Sequence, residues 1–355
     1  MFGWLGGKRE MAETRSLGAR AVKQIADTWM VDKDRIEWVD NGFDWWPGSF
    51  RVAVRHQGGS DPDRWRVSVA TDFVEDAPVG DRGFAQLTSS TGLFASSYSY
   101  VYLTERMAAL KARRSNSLYL FSSAYISPDL MGWLPAYLAR VAILQPIDAE
   151  IRARAQAELH GGRPAFAPEA KIKREYDEML DVVKDAYAPA GEQPNWWNQA
   201  GALEEFVERE TFEENGITLL ATSEEPVIVS LNERGLLLVA VFNDQPARIA
   251  LRCAERHPQL GNGLRVTVQL PALLDVDQAV EHAASLNLLE AETWTDFPQL
   301  GCWATGETEE GGREIAHASF IPNALSGPGI AENYTYWSLA RVKWAEQILK
   351  QHYRH

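Results

Sequence analysis

Hydrophobic and polar residues alternate in two stretches that repeat each other. Residues 51–55 read RVAVR, and residues 65–69 read WRVSV after a polar, Gly-rich turn. Residues 248–252 read RIALR, and residues 264–268 read LRVTV after a turn holding Gly261, Asn262 and Gly263. A period of two predicts a β-hairpin in each. In the first, Val52 and Val54 point one way while Arg51, Ala53 and Arg55 point the other; Trp65, Val67 and Val69 face the core, and Arg66 and Ser68 face away.

Helical spacing brackets these hairpins. Val22, Ile25, Ala26 and Trp29 predict a helix over 12–30. A short strand at 36–38 precedes the turn-rich NGFDWWPG of 41–48. A weak helix is predicted near 82–96, with strands at 97–103 and 118–125. From Pro128 a long helical region carries Leu134, Leu138 and Val141; Pro146 should kink or split it before it resumes through Ile147, Ile151 and Ala155. HGGRPAFAP reads as a flexible linker, 169–187 as an amphipathic helix, and the run around Trp196 and Trp197 as a loop. The second copy reads as a helix at 201–212, an additional strand pair at 217–222 and 227–231, and a strand at 236–242 before its hairpin. A helix through Ala279, Ala283 and Leu286 follows, then strands at 300–305 and 315–321 and a last helix at 330–350.

The two copies are offset by 197 residues at RVAVR (51 to 248), by 199 at WRVSV (65 to 264) and by 201 at LARV (138 to 339). The motif Ala124-Tyr125-Ile126 before Pro128 likewise returns as Ser319-Phe320-Ile321 before Pro322. We read an α+β chain of two repeated domains, 1–160 and 201–355, joined by a linker at 161–200 that contains the amphipathic helix. Each copy is an antiparallel sheet with helices on one face, in the order α-β-β-β-α-β-β-α. The pair is expected to form an intramolecular pseudo-dimer.

That order, carried by the hairpin at 51–69, the elements around 82–125 and the long helix from Pro128, and again at 248–268, 276–321 and 330–350, resembles the type III secretion chaperone-like fold, including the YbjN family. The resemblance implies a non-enzymatic, chaperone-like binding role, commonly exercised as a dimer. The chain departs from it in being fused and in its additional strands.

Charge narrows the partners. The formal net charge of −14 repels phosphate backbones and anionic lipid, so neither nucleic acid nor a membrane is expected. The start lacks the apolar run of a signal peptide, and the two cysteines, Cys253 and Cys302, form no CxxC pair; reduced thiols in the cytoplasm are expected. Cys253 and His257 are the closest Cys–His pair and nothing completes a metal site; no cofactor motif and no GxSxG, HExxH or GxxxxGK[ST] is present. Paired carboxylates fall in polar runs and read as solvated charge.

Two sets of residues remain as binding candidates. Arg51, Arg55 and Arg66 share one sheet face, and Arg248, Arg252 and Arg265 repeat it; they suit an acidic peptide or an anion, or pair with acids of the protein itself. Trp45, Trp46, Trp196 and Trp197 sit in predicted loops and suit anchors for a partner, or caps on the core. The expected function is therefore a protein- or peptide-binding, chaperone-like or regulatory module without enzyme activity, acting as a monomeric pseudo-dimer or a homodimer. The alternatives are a scaffold subunit, and an enzyme or anion binder with a site between the copies.

Overall fold

The computed structural model describes residues 16–28, 36–58, 61–77, 99–103, 117–168, 218–219, 221–222, 225–226, 228–232, 235–242, 245–257, 261–293, 297–307, 313–322 and 329–352. The helices expected at 82–96, 169–187 and 201–212, and Trp29, Trp196 and Trp197, lie outside them. The fold is α+β, with two large antiparallel sheets, and the chain divides into two compact units.

In the first unit, α1 (Leu17–Thr28) is followed by β1 (Ile36–Val39), β2 (Gly42–Trp45), β3 (Val52–Gly58) and β4 (Trp65–Glu75). After β5 (Ser99–Leu103) and β6 (Ser117–Ile126) comes the long helix α2 (Leu134–His160), then a short β7 (Arg163–Pro164). The strand order is β1-β2-β3-β4-β6-β5, with β7 added beside β4. Val52, Val54, Val67, Val69 and Leu120 are fully buried on the face that α2 covers. There Gln145 accepts from Thr71 Oγ1 at 3.0 Å and donates to Ser122 Oγ at 3.4 Å, so the polar groups under the helix are paired.

The second unit holds the short strands β8 (Thr218–Leu219), β9 (Ala221–Thr222) and β10 (Glu225–Pro226), then β11 (Ile228–Asn232), β12 (Gly235–Phe242), β13 (Gln245–His257) and β14 (Gly261–Leu274). Next are α3 (Val276–Glu292), β15 (Cys302–Glu307), β16 (Arg313–Pro322) and α4 (Ile330–His352). Its order, β11-β12-β13-β14-β16-β15, is that of the first sheet strand for strand, with β8 added beside β12. Register repeats too. The pairs Val52–Thr71, Val54–Val69 and Val69–Ser122 return 197 residues later as Ile249–Val268, Leu251–Val266 and Val266–Ser319.

The order common to the two sheets has four strands before the central segment, one more than the three of the α-β-β-β-α-β-β-α reading. The turn in the first copy is only Asp40-Asn41, and β2 starts at Gly42 inside the stretch read as a long turn. Gly42 (φ +156°) and Gly235 (φ +132°) open the equivalent strands, and a Cβ at either would collide with the carbonyl oxygen of Val54 or Leu251. The counterpart of β1 is β11, so one of the two strands read as additional in the second copy belongs to the common sheet; the other is divided between β8 and β9.

Helix α2 differs from expectation at two points. It starts at Leu134, after a turn that begins at Pro128, and Pro146 does not split it. An interior proline costs about 3 kcal/mol, but Val141, Ile143, Leu144 and Ile147 around it are all buried, each worth about 1.5–3 kcal/mol. Ile151 and Ala155, farther along the helix, are exposed.

Candidate functional site

The register of the first sheet decides what its arginines do. Arg51 lies beside Asp72 on β4, and its Nε and Nη2 each donate to one carboxylate oxygen at 3.0 Å. Asp44 sits opposite Ala53 on β2, between the two arginines, with Oδ1 3.7 Å from Arg51 Nη1 and 2.6 Å from Arg55 Nη2. Arg55 Nη1 also donates to the carbonyls of Phe43 and Val54. Burial alone would lower the Arg51 pKa; Asp72 and then Asp44 more than offset it, and the value lies above the ordinary one. Arg51 and Arg55 are therefore buried and held by the protein's own acids rather than by solvent. Arg66 is half-buried, donates to Ser123 Oγ at 3.0 Å, and has its pKa lowered by burial, against an opposing pull from Tyr125.

A cavity of about 50 Å³ lies over this network, lined by Trp46, Arg51, Asp72, Tyr119 and residues 165–168. At ~10–15 Å³ per water it has room for a few waters, far below the ~300–1,000 Å³ of metabolite pockets. Tyr119 is pushed up to about 12, by burial first and then by Asp72, with Arg51 opposing, so it keeps its proton at neutral pH. Trp46 is buried at this cavity. Trp45 lies on β2 rather than in a loop; it is half-buried and lines a small apolar space with Ile25, Phe43 and Ala142. Neither tryptophan is an exposed loop anchor.

The segment read as the start of a flexible linker is instead part of this sheet. Helix α2 ends at Gly161 in the left-handed conformation, with the Gly162 N–H on the Ala157 carbonyl. The chain then turns back, and Glu75 pairs with Arg163, Val74 with Pro164 and Phe50 with Phe166. Ala165 N–H donates to Phe73 O at 3.1 Å and Ala167 N–H to Ser49 O at 2.7 Å. Arg163 bridges Glu75 and Asp76, each at 2.9 Å.

The far margin of the sheet is β1. Trp38 is 54% exposed and Val39 41% exposed on it. The Trp38 ring meets Phe43 edge-on, with centroids 5.4 Å apart. Glu37 and Asp40 beside them are exposed as well. The pattern placed this strand but did not single out Trp38; the signal was the Asp40-Asn41-Gly42 turn, which makes Ile36–Val39 the outer arm of a two-residue hairpin.

In the second sheet the arginine face is open. Arg248 and Arg252 are exposed, Arg252 stands 3.7 Å from Glu255, and Arg265 is half-buried with its pKa lowered by burial, Glu255 opposing. Its buried polar groups gather beneath the helices. Glu290 of α3 meets Arg341 of α4 at 3.0 Å and accepts from Trp303 Nε1 at 2.8 Å. His317 lies against Trp303 and is fully buried, and among the described residues neither ring nitrogen has a hydrogen-bond partner. Its pKa is held well below the usual value, by burial first and then by Arg341. Cys253 and Cys302 are buried free thiols, and burial pushes Cys253 up to about 11. Among the described residues no group of His, Cys, Asp and Glu is arranged to hold a metal ion, and no helix is long and apolar enough to cross a membrane. No protein-family model, curated protein or solved structure matches this chain.

Proposed function

We propose that the chain is a cytoplasmic, non-enzymatic binding module, chaperone-like or regulatory, that takes up an extended segment of a protein partner. The observation that carries the reading is the exposed Trp38 and Val39 on the outermost strand of the first sheet. An outer strand offers unpaired main-chain groups, and an added strand gains affinity from them and specificity from alternate side chains. Glu37, Asp40 and a net charge of −14 favour a segment that alternates apolar with basic residues. The common strand order of the two sheets supports the tandem reading.

The test is binding of an array of synthetic extended peptides to wild type and to Trp38→Lys. Selective capture of apolar–basic alternating peptides, lost in the folded variant, supports the reading. Equal capture by both removes β1 as the site. A scaffold reading is favoured by one observation, the burial of Trp46, which then caps the core; it expects no selective capture at all.

A further inference from the structure

Residues 163–168 are held as a bound peptide is held. They are extended, they pair through the main chain with β4 and with the stretch before β3, and side chains fix their two ends. Arg163 sits between Glu75 and Asp76, and Phe166 stacks against Phe50 with centroids 5.2 Å apart. Gly162 lets the chain approach: a Cβ there would lie 2.8 Å from the Glu75 carbonyl oxygen. Yet the fit is incomplete. Arg163 is largely exposed, Phe166 is 42% exposed, and the small side chains of Ala165 and Ala167 leave open the cavity over Arg51, Asp72 and Tyr119.

We propose that this strap occupies a second segment-binding groove of the first sheet, and that a protein partner displaces it. The groove specifies the partner's chemistry. Glu75 and Asp76 at its entry select Lys or Arg at the Arg163 position. Phe50 selects an aromatic three residues later. The cavity between them holds an arginine already neutralised by Asp72, beside Ser117 and Tyr119, so it rejects either charge and accepts a neutral polar side chain larger than alanine at the Ala165 position. The partner segment thus reads basic, any, Asn/Gln/Thr, aromatic. Because the strap competes from within the same chain, the intact protein binds such a segment only in the fraction of time the groove is open. This groove is independent of the β1 edge, and Trp38→Lys should leave it unchanged.

The experiment uses the full chain and two labelled peptides, RPAFAP and RPNFAP, with binding followed by fluorescence anisotropy. Arg163→Ala/Phe166→Ala releases the strap without altering the groove, and circular dichroism checks its fold; Arg163→Ala alone serves if the double variant does not fold. The expected result is at least about tenfold tighter binding by the released variant than by wild type, with RPNFAP preferred over RPAFAP. Hydrogen exchange at the Ala165 and Ala167 amides, protected in wild type, should quicken when RPNFAP is added. Equal affinity for wild type and the released variant, absence of binding by the released variant, or unchanged exchange at those amides with peptide bound would each overturn the proposal.

Discussion

The same five-residue pattern, arginine at both ends of an alternating strand, meets opposite fates in the two sheets. In the first sheet Arg51 and Arg55 are buried and locked; in the second Arg248 and Arg252 are exposed. Topology and register are shared, so the strand itself does not decide the matter. The cross-strand neighbours do. Opposite Ala53 stands Asp44, while opposite Ala250 stands Leu237. Beside Arg51 lies Asp72, while Arg248 faces Gln269, which donates to Glu314 at 2.7 Å. Two acids convert a solvated basic face into a closed network. Beneath the helices the asymmetry runs the other way. Leu120 in the first sheet occupies the register position that His317 holds in the second, opposite Thr71 and Val268 respectively.

Four experiments break or sharpen this contrast. Removing Asp72 with Asp72→Ala leaves Arg51 buried without its two-pronged partner and should cost about 3–5 kcal/mol, read from urea denaturation. Gly42→Ala and Gly235→Ala occupy equivalent positions and should each lose about 1–3 kcal/mol; a loss at only one would deny the equivalence. His317→Leu, which copies the first sheet, should gain about 1–2 kcal/mol by removing unpaired polar atoms. It should also flatten the acid side of the stability profile. The native His317 pKa is depressed, so the unfolded state binds more protons; stability is full above about pH 6.5, the ordinary histidine value, and falls as the pH drops toward the native pKa. A wild-type profile already flat from pH 7 to 5 would contradict the burial of a neutral imidazole. Arg248→Ala should change stability by less than about 0.5 kcal/mol, and a loss comparable to that of Asp72→Ala would end the comparison.

Much of the architecture is legible in the chain because the hairpin sequences of both sheets alternate apolar and polar residues and α1 carries a clear apolar stripe. Val22, Ile25, Ala26, Ala279, Ala283, Leu339 and Val342 are all buried as their spacing demands. The same regularity blurs detail. WRVSV matches LRVTV at an offset of 199, but the register equates Val67-Ser68-Val69 with Leu264-Arg265-Val266. A Val-x-Val strand looks alike after a shift of two, and such a shift keeps every side chain on its face. β2 was hidden because Asn41-Gly42 and Pro47-Gly48 read as one long turn, although Gly42–Trp45 form a strand. The strap was hidden because HGGRPAFAP has the composition of a linker, and only its partners on β4 and before β3 make it a strand. The arginine network depends on pairs such as Arg51 and Asp72, 21 positions apart, that only the register brings together. Trp38 was placed on its strand, but its exposure follows from β1 being outermost, which is a property of the sheet order.

The most direct measurement of segment binding at the sheet edge is hydrogen exchange on the full chain, with and without a saturating apolar–basic alternating peptide chosen from the array. The account predicts that amides of Ile36–Val39 gain protection while those of Ile228–Asn232, the equivalent strand of the second sheet, do not change. Protection that appears elsewhere and leaves Ile36–Val39 unchanged would contradict it.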